Sequence, residues 1–224
     1  MSLAGPLYKI EKPRRLEEKV YLQLKRAIIS GAVLPGALIT ETKLAQEMGV
    51  SRTPIRKALV RVEQEGFITS LPSKGYQVAE MSFQDLRDIY DLREILECHL
   101  IRETAGLLTP GDLAEMESAL QAANECYEKD DYAGFMEHSR AFHHTFDRKY
   151  GNRRVSEVLA TLDEHVCRFW ISHLKLGEVT PTTVPAAFND HRFVLEAIRQ
   201  GDIEAAVCRT REHTKIYGQL LREE

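Results

Sequence analysis

The 224-residue chain has no apolar run approaching the roughly 18 residues needed to cross a bilayer. Its opening stretch, MSLAGPLYKIEKPRR, has no long apolar segment of the kind that directs secretion. Cysteine is sparse. Cys98, Cys126, Cys167 and Cys208 are far apart and form no C-x-x-C pair, so zinc-ribbon and dithiol readings have no support. A chain of this size does not need disulfides, and reduced thiols in the cytoplasm are the expectation. Repeats and low-complexity tracts are missing too. With 43% hydrophobic and 29% charged residues, the composition excludes a disordered chain and fits a folded globular one. One local absence is informative: the first 80 residues contain no histidine, and all eight lie between His99 and His213.

Charge divides in the same place. Residues 1–80 hold 13 Lys/Arg against 8 Asp/Glu, a balance of +5, while the remaining 17 and 26 give −9, matching the net −4. A basic front on an acidic back implies two jobs, one of them on nucleic acid.

The front reads as three helices and a hairpin. Leu16, Val20, Leu24, Ala27 and Ile28 share one helical face, which predicts a helix over residues 15–30 ended by Gly31. Thr40 is placed to cap a short helix from Glu41 to Met48, with Leu44 and Ala45 inward and Gly49 supplying a tight turn. Ser51 is placed to cap a third helix from Arg52 to Glu65, which tolerates Pro54 in its first turn. FITS and YQVA, separated by LPSKG, read as a two-stranded hairpin. This is the order of a winged helix-turn-helix.

The third helix has two sides. Ile55, Ala58, Leu59 and Val62 form the packing side; Arg52, Thr53, Arg56 and Lys57 form the other. In a helix-turn-helix, polar residues near the start of this helix enter the major groove, where an arginine fork bonds guanine O6 and N7 together. Ser51, Thr53 and the free amides of the helix start suit a phosphate. Lys74 at the hairpin tip is placed for backbone or minor groove. The plainer reading is a solvated helix face, but the turn glycine, the hairpin and the charge asymmetry all point to DNA.

The stretch from LKRAIISGAV through GVSRTPIRKAL to SKGYQV, within about residues 16–79, resembles the N-terminal domain of GntR-family regulators. The resemblance implies that Arg52 and Arg56 contact operator bases and that the wing glycine, Gly75, approaches the DNA. Lys57 stands where the family usually has Glu.

From residue 82 only helices are expected, six in number: Ser82 to Ala105, Thr109 to about Asp130, 131–150, 153–174, 186–200 and 202–222, with a Thr- and Pro-rich loop from Gly177 to Pro185. The expected architecture is therefore mainly α: a DNA-binding domain over residues 1–80, then an all-α bundle of six to seven helices over residues 81–224.

Three histidines sit on inward faces of different helices: His143 with Phe135, Ser139, Phe142 and Phe146; His191 with Leu195 and Ile198; His213 with Ala206 and Thr210. Convergent imidazoles in a bundle bind divalent metals such as zinc, although for each alone a core histidine bonded to a carbonyl is the commoner case. His165 follows Val158 and Leu162 and also points inward, whereas His138 and His144 fall off the apolar face.

DLREILE, AFHHTFDRKYGN, DHRFVLEAIRQGD and the closing REH resemble the FCD ligand-binding domain of the FadR-like subfamily. The resemblance implies that His143, His191 and His213 are metal ligands, and that Ser139 occupies the slot where the family places an Asp ligand. It also implies that Arg93 faces an effector pocket, with Ser139 and His165 beside it; the plainer alternative pairs Arg93 with Glu97 on a solvated face. The implied effectors are small carboxylates. The expectation is then a homodimeric transcription regulator, a repressor on a palindromic double-stranded operator, with no enzymatic activity and no membrane association. A metal-responsive regulator, with the ion itself as effector, is the alternative. A metalloenzyme has less support, since no general base stands paired with a nucleophile.

Overall fold

The computed structural model describes residues 14–178 and 186–220. They divide into two units. One takes the chain up to Ala27 and Gly36–Ala79; the other takes Ile28–Pro35 and everything from Glu80.

The first unit contains α1 (Arg14–Ile29), β1 (Leu38–Ile39), α2 (Glu41–Met48), α3 (Arg52–Gln64), β2 (Ile68–Leu71) and β3 (Gly75–Val78). Thr40 caps α2 by accepting from the Lys43 amide, and Gly49, in the left-handed region at φ 64°, ends it. Ser51 stands at the N-cap of α3 as expected, but its hydroxyl makes no capping hydrogen bond. Ile55, Ala58, Leu59 and Val62 are buried, as are Val20 and Leu24 of α1 and Phe67, Ile68 and Val78. Leu16, assigned to the inward face of α1, is 43% exposed.

The sheet differs from the expected hairpin. It has three antiparallel strands in the order β1-β3-β2, with Leu38 opposite Gln77 and Ile39 opposite Tyr76. The hairpin strands pair out to Leu71 and Gly75, so these two residues belong to the ladder and the loop is only Pro72-Ser73-Lys74.

A buried polar cluster ties α1 to the end of α3. The Tyr21 hydroxyl donates to the Glu65 carboxylate, Lys25 Nζ donates to the Tyr21 hydroxyl at 2.9 Å, and Lys25 Nζ lies 2.7 Å from Glu65 Oε2. Burial pushes Glu65 upward, but the hydrogen bonds from Lys25 and Tyr21 outweigh it and hold the carboxyl below its ordinary range.

The second unit contains α4 (Phe83–Thr104), a short 3₁₀ turn (Ala105–Leu107), α5 (Pro110–Glu128), α6 (Tyr132–Tyr150), α7 (Arg153–Leu176), α8 (Ala186–Arg199) and α9 (Ile203–Leu220). Ser82 with Asp85 and Thr109 with Asp112 form capping boxes that start α4 and α5. α6 packs on α5, and α9 packs on both α4 and α8. One core cluster joins Leu100, Ile101, Met116, Phe142, Phe146, Val194 and Ala206; a second joins Leu86, Tyr90, Phe135, Phe169 and Trp170. Most of the expected loop over 177–185, and the expected last residues of the final helix, lie outside the described residues. No helix among those described is long and apolar enough to cross a membrane.

Candidate DNA interface and histidine centre

On α3, Ser51, Arg52, Thr53, Arg56 and Lys57 are all exposed, opposite the buried Ile55–Leu59 side. They are not equally available. The Arg56 guanidinium makes two hydrogen bonds to the Glu41 carboxylate of α2, at 2.9 and 3.0 Å, and these hold Glu41 below its ordinary range. Lys57 Nζ lies 3.1 Å from Glu17 of α1. Lys74 is exposed at the wing tip. Gly75 has a structural duty of its own: its φ is 94°, and a Cβ there would come within 2.6 Å of the Ile39 carbonyl oxygen of β1.

In the helical unit, His143 of α6, His191 of α8 and His213 of α9 converge, with one ligand nitrogen from each lying within 4.8 Å of the others. Nε2 of His143 faces Nε2 of His191 at 2.8 Å. His191 and His213 are 3% and 5% exposed. Burial drives His143 down to about 4 and His191 well below its ordinary value, which favours the neutral imidazole that a metal requires.

A carboxylate stands close to this centre from another helix. It is Glu97 of α4, with Oε2 3.5 Å from His143 Nδ1. Ser139 is half-buried and lines no part of the adjoining cavity. Arg93 does pair with Glu97, at 2.7 Å, but not on a solvated face, since the two are 7% and 4% exposed. Arg93 also lies 3.4 Å from Asp163 of α7. The signal was there: Arg93 and Glu97 run in helical phase with Leu86, Tyr90 and Leu100, all buried.

A cavity of about 360 Å³ opens beside His143, walled by α4, α6 and α7, with Glu97, Leu100, Ile101, Arg140, Phe146, Asp147, Leu159 and Asp163 among its lining. Arg93 is not part of that wall, because Glu97 and Asp163 take its guanidinium. His165 is half-buried on α7 and likewise lines no part of it. His144 is largely exposed, as its helix face predicts, yet it lines the cavity and lies 2.6 Å from Asp147.

Residues 16–78 match the bacterial regulatory proteins of the gntR family, and residues 88–215 match the FCD domain. An HTH-type transcriptional regulator from an unstable DNA locus of Streptomyces ambofaciens is 29% identical over 198 residues, 88% of this chain and 80% of that protein. The HTH-type transcriptional repressor RspR of Escherichia coli is 21% identical over 208 residues, 93% of this chain and 90% of its own. The solved structure of E. coli McbR/YncC superposes with a TM-score of 0.77 at 24% identity, covering 92% of this chain and 96% of that one. These relatives are regulators, not enzymes. With a winged helix-turn-helix in front and a histidine-centred helical bundle behind it, the chain belongs to the GntR family of transcription regulators, in the branch that carries an FCD domain.

Proposed function

We propose that this protein is a cytoplasmic repressor that binds a palindromic operator as a homodimer and is released by a small carboxylate bound next to a divalent metal, zinc, in the helical domain. One observation carries the effector half: imidazoles from three helices converge, and one of them, His143, lines a cavity. The donor set fits a borderline cation such as zinc. His143, His191 and His213 would hold the ion, and Glu97 would orient the His143 ring through Nδ1. When bound, the ion supplies positive charge to which a ligand carboxylate can attach. For the dimer, the support is the outer face of α4, where Leu92 is 41% and Ile95 67% exposed. The name of RspR supports repression.

The cavity also favours an organic effector over the ion acting alone, because a bare metal sensor has no use for it. Elemental analysis of the purified protein, followed by operator binding with and without zinc and with added carboxylates, tests the reading. Zinc near one equivalent, and operator release only on adding a carboxylate, are expected. Release that tracks zinc alone would replace this reading with the metal sensor.

A further inference from the structure

The cavity beside the histidines is walled by acid. Glu97, Glu137, Asp147 and Asp163 all line it, against one lining arginine, Arg140. The nearest other arginine, Arg93, is already engaged by Glu97 and Asp163 at 2.7 and 3.4 Å. These are not all surface carboxylates in water: Glu97 and Asp147 are each 4% exposed. Among the described residues, Glu97 Oε2 makes no hydrogen bond, its near neighbour being His143 Nδ1 at 3.5 Å. Burial pushes Asp163 up to about 6, against the pull of Arg93 and Arg140.

A ligand that carries only carboxylates would bring more negative charge into this enclosure. A metal at the histidines together with Arg140 can answer one carboxylate of a ligand. They leave Asp163 sharing Arg93 with Glu97, and Asp147 with His144, at 2.6 Å, as its close partner. A ligand cation supplies what is missing, and does so where low dielectric makes it count.

We propose that the cavity selects a carboxylate that also carries a cationic amine, an amino-acid-like zwitterion, with Asp147 and Asp163 receiving the ammonium and Arg140 and the metal centre receiving the carboxylate. This rests on the reading of the cavity as the effector site and narrows the chemistry of its ligand. The cavity volume, about 360 Å³, lies within the range of small-molecule sites.

Matched pairs isolate the amine. Zinc-loaded full-length protein is titrated by calorimetry with the common α-amino acids, each against its 2-hydroxy counterpart, alanine against lactate and aspartate against malate among them. At least one amino acid is expected to bind about tenfold or more tighter than its hydroxy partner. That preference should collapse in Asp147→Asn, and shrink in Glu137→Gln, an exposed position where folding is not at stake. Hydroxy acids that bind as tightly as their amino partners would overturn the amine and leave the carboxylate effector standing. No binding by either class would overturn both. A preference that survives Asp147→Asn, Asp163→Asn and Glu137→Gln alike would overturn the assignment of these carboxylates.

Discussion

Oε2 of Glu97 lies 3.5 Å from Nδ1 of His143, on the side of the ring away from His191. A carboxylate behind a ligating imidazole fixes its tautomer and raises its basicity. Glu97→Gln keeps the shape and removes the charge. It is expected to weaken zinc binding by about 10–100-fold in competition with a chelator. Asp163→Asn is the control, since it removes a partner of Arg93 without touching His143. Equal zinc affinity in Glu97→Gln and the wild type would show that the carboxylate does not tune the ring.

Arg52 and Arg56 share a helix face, but only Arg56 is engaged by Glu41. Arg56 must give up that partner to reach DNA. Arg52→Ala is therefore expected to cost about 1–3 kcal/mol of operator affinity, with Arg56→Ala costing less. Glu41→Gln should tighten binding. Weaker binding by Glu41→Gln would mean that Glu41 aims Arg56 at the operator instead of competing for it.

Lys74, exposed at the wing tip, is expected to contribute through phosphate alone. Lys74→Ala should weaken operator and random DNA equally and reduce the log–log salt slope by about one. An unchanged slope would remove the wing tip from the interface.

Gly75→Ala separates a DNA contact from a folding requirement. Its positive φ and the Ile39 carbonyl 2.6 Å from the added Cβ predict a loss of about 1–3 kcal/mol in stability of the winged domain. DNA binding should fall in proportion to the unfolded fraction. A well-folded Gly75→Ala protein with no operator affinity would instead assign the glycine to close approach of the DNA backbone.

Lys25 and Glu65 set an acid limit. Glu65 is held below its ordinary 4.5 in the fold, so its contribution is present above that value and is lost as pH falls through the lower folded value. Lys25→Met should lower stability at neutral pH by about 1.5–3 kcal/mol, the worth of a hydrogen bond to a charged group. It should also flatten the acid limb below pH 4.5 in urea melts. An acid limb identical to the wild type would place the sensitivity elsewhere.

Local chemistry made much of the fold readable. Thr40 and Gly49 bracket α2 at the expected residues, and Ser82 and Thr109 start their helices through capping boxes. Strand β1 was not readable, because two residues carry no period and its partner is β3, far along the chain. The histidine centre was half readable. Each ring's inward face follows from helical phase, but Glu97 reaches His143 only through the packing of α4 on α6. Its own helix offered a simpler partner four residues back, and that partner exists, buried instead of exposed.

The three imidazoles come from α6, α8 and α9, with 48 residues separating His143 from His191. An ion held there would be a cross-link as well as a docking point. It would close two long loops of the unfolded chain, in a protein whose four cysteines are all free. Loading would then do for the bundle what a disulfide does in a secreted domain, removing freedom from the denatured ensemble, but reversibly and in proportion to free zinc. The thermal midpoint of the helical domain would then be a gauge of metal supply. A chelator would loosen α8 and α9 from α6 before any effector had been sensed.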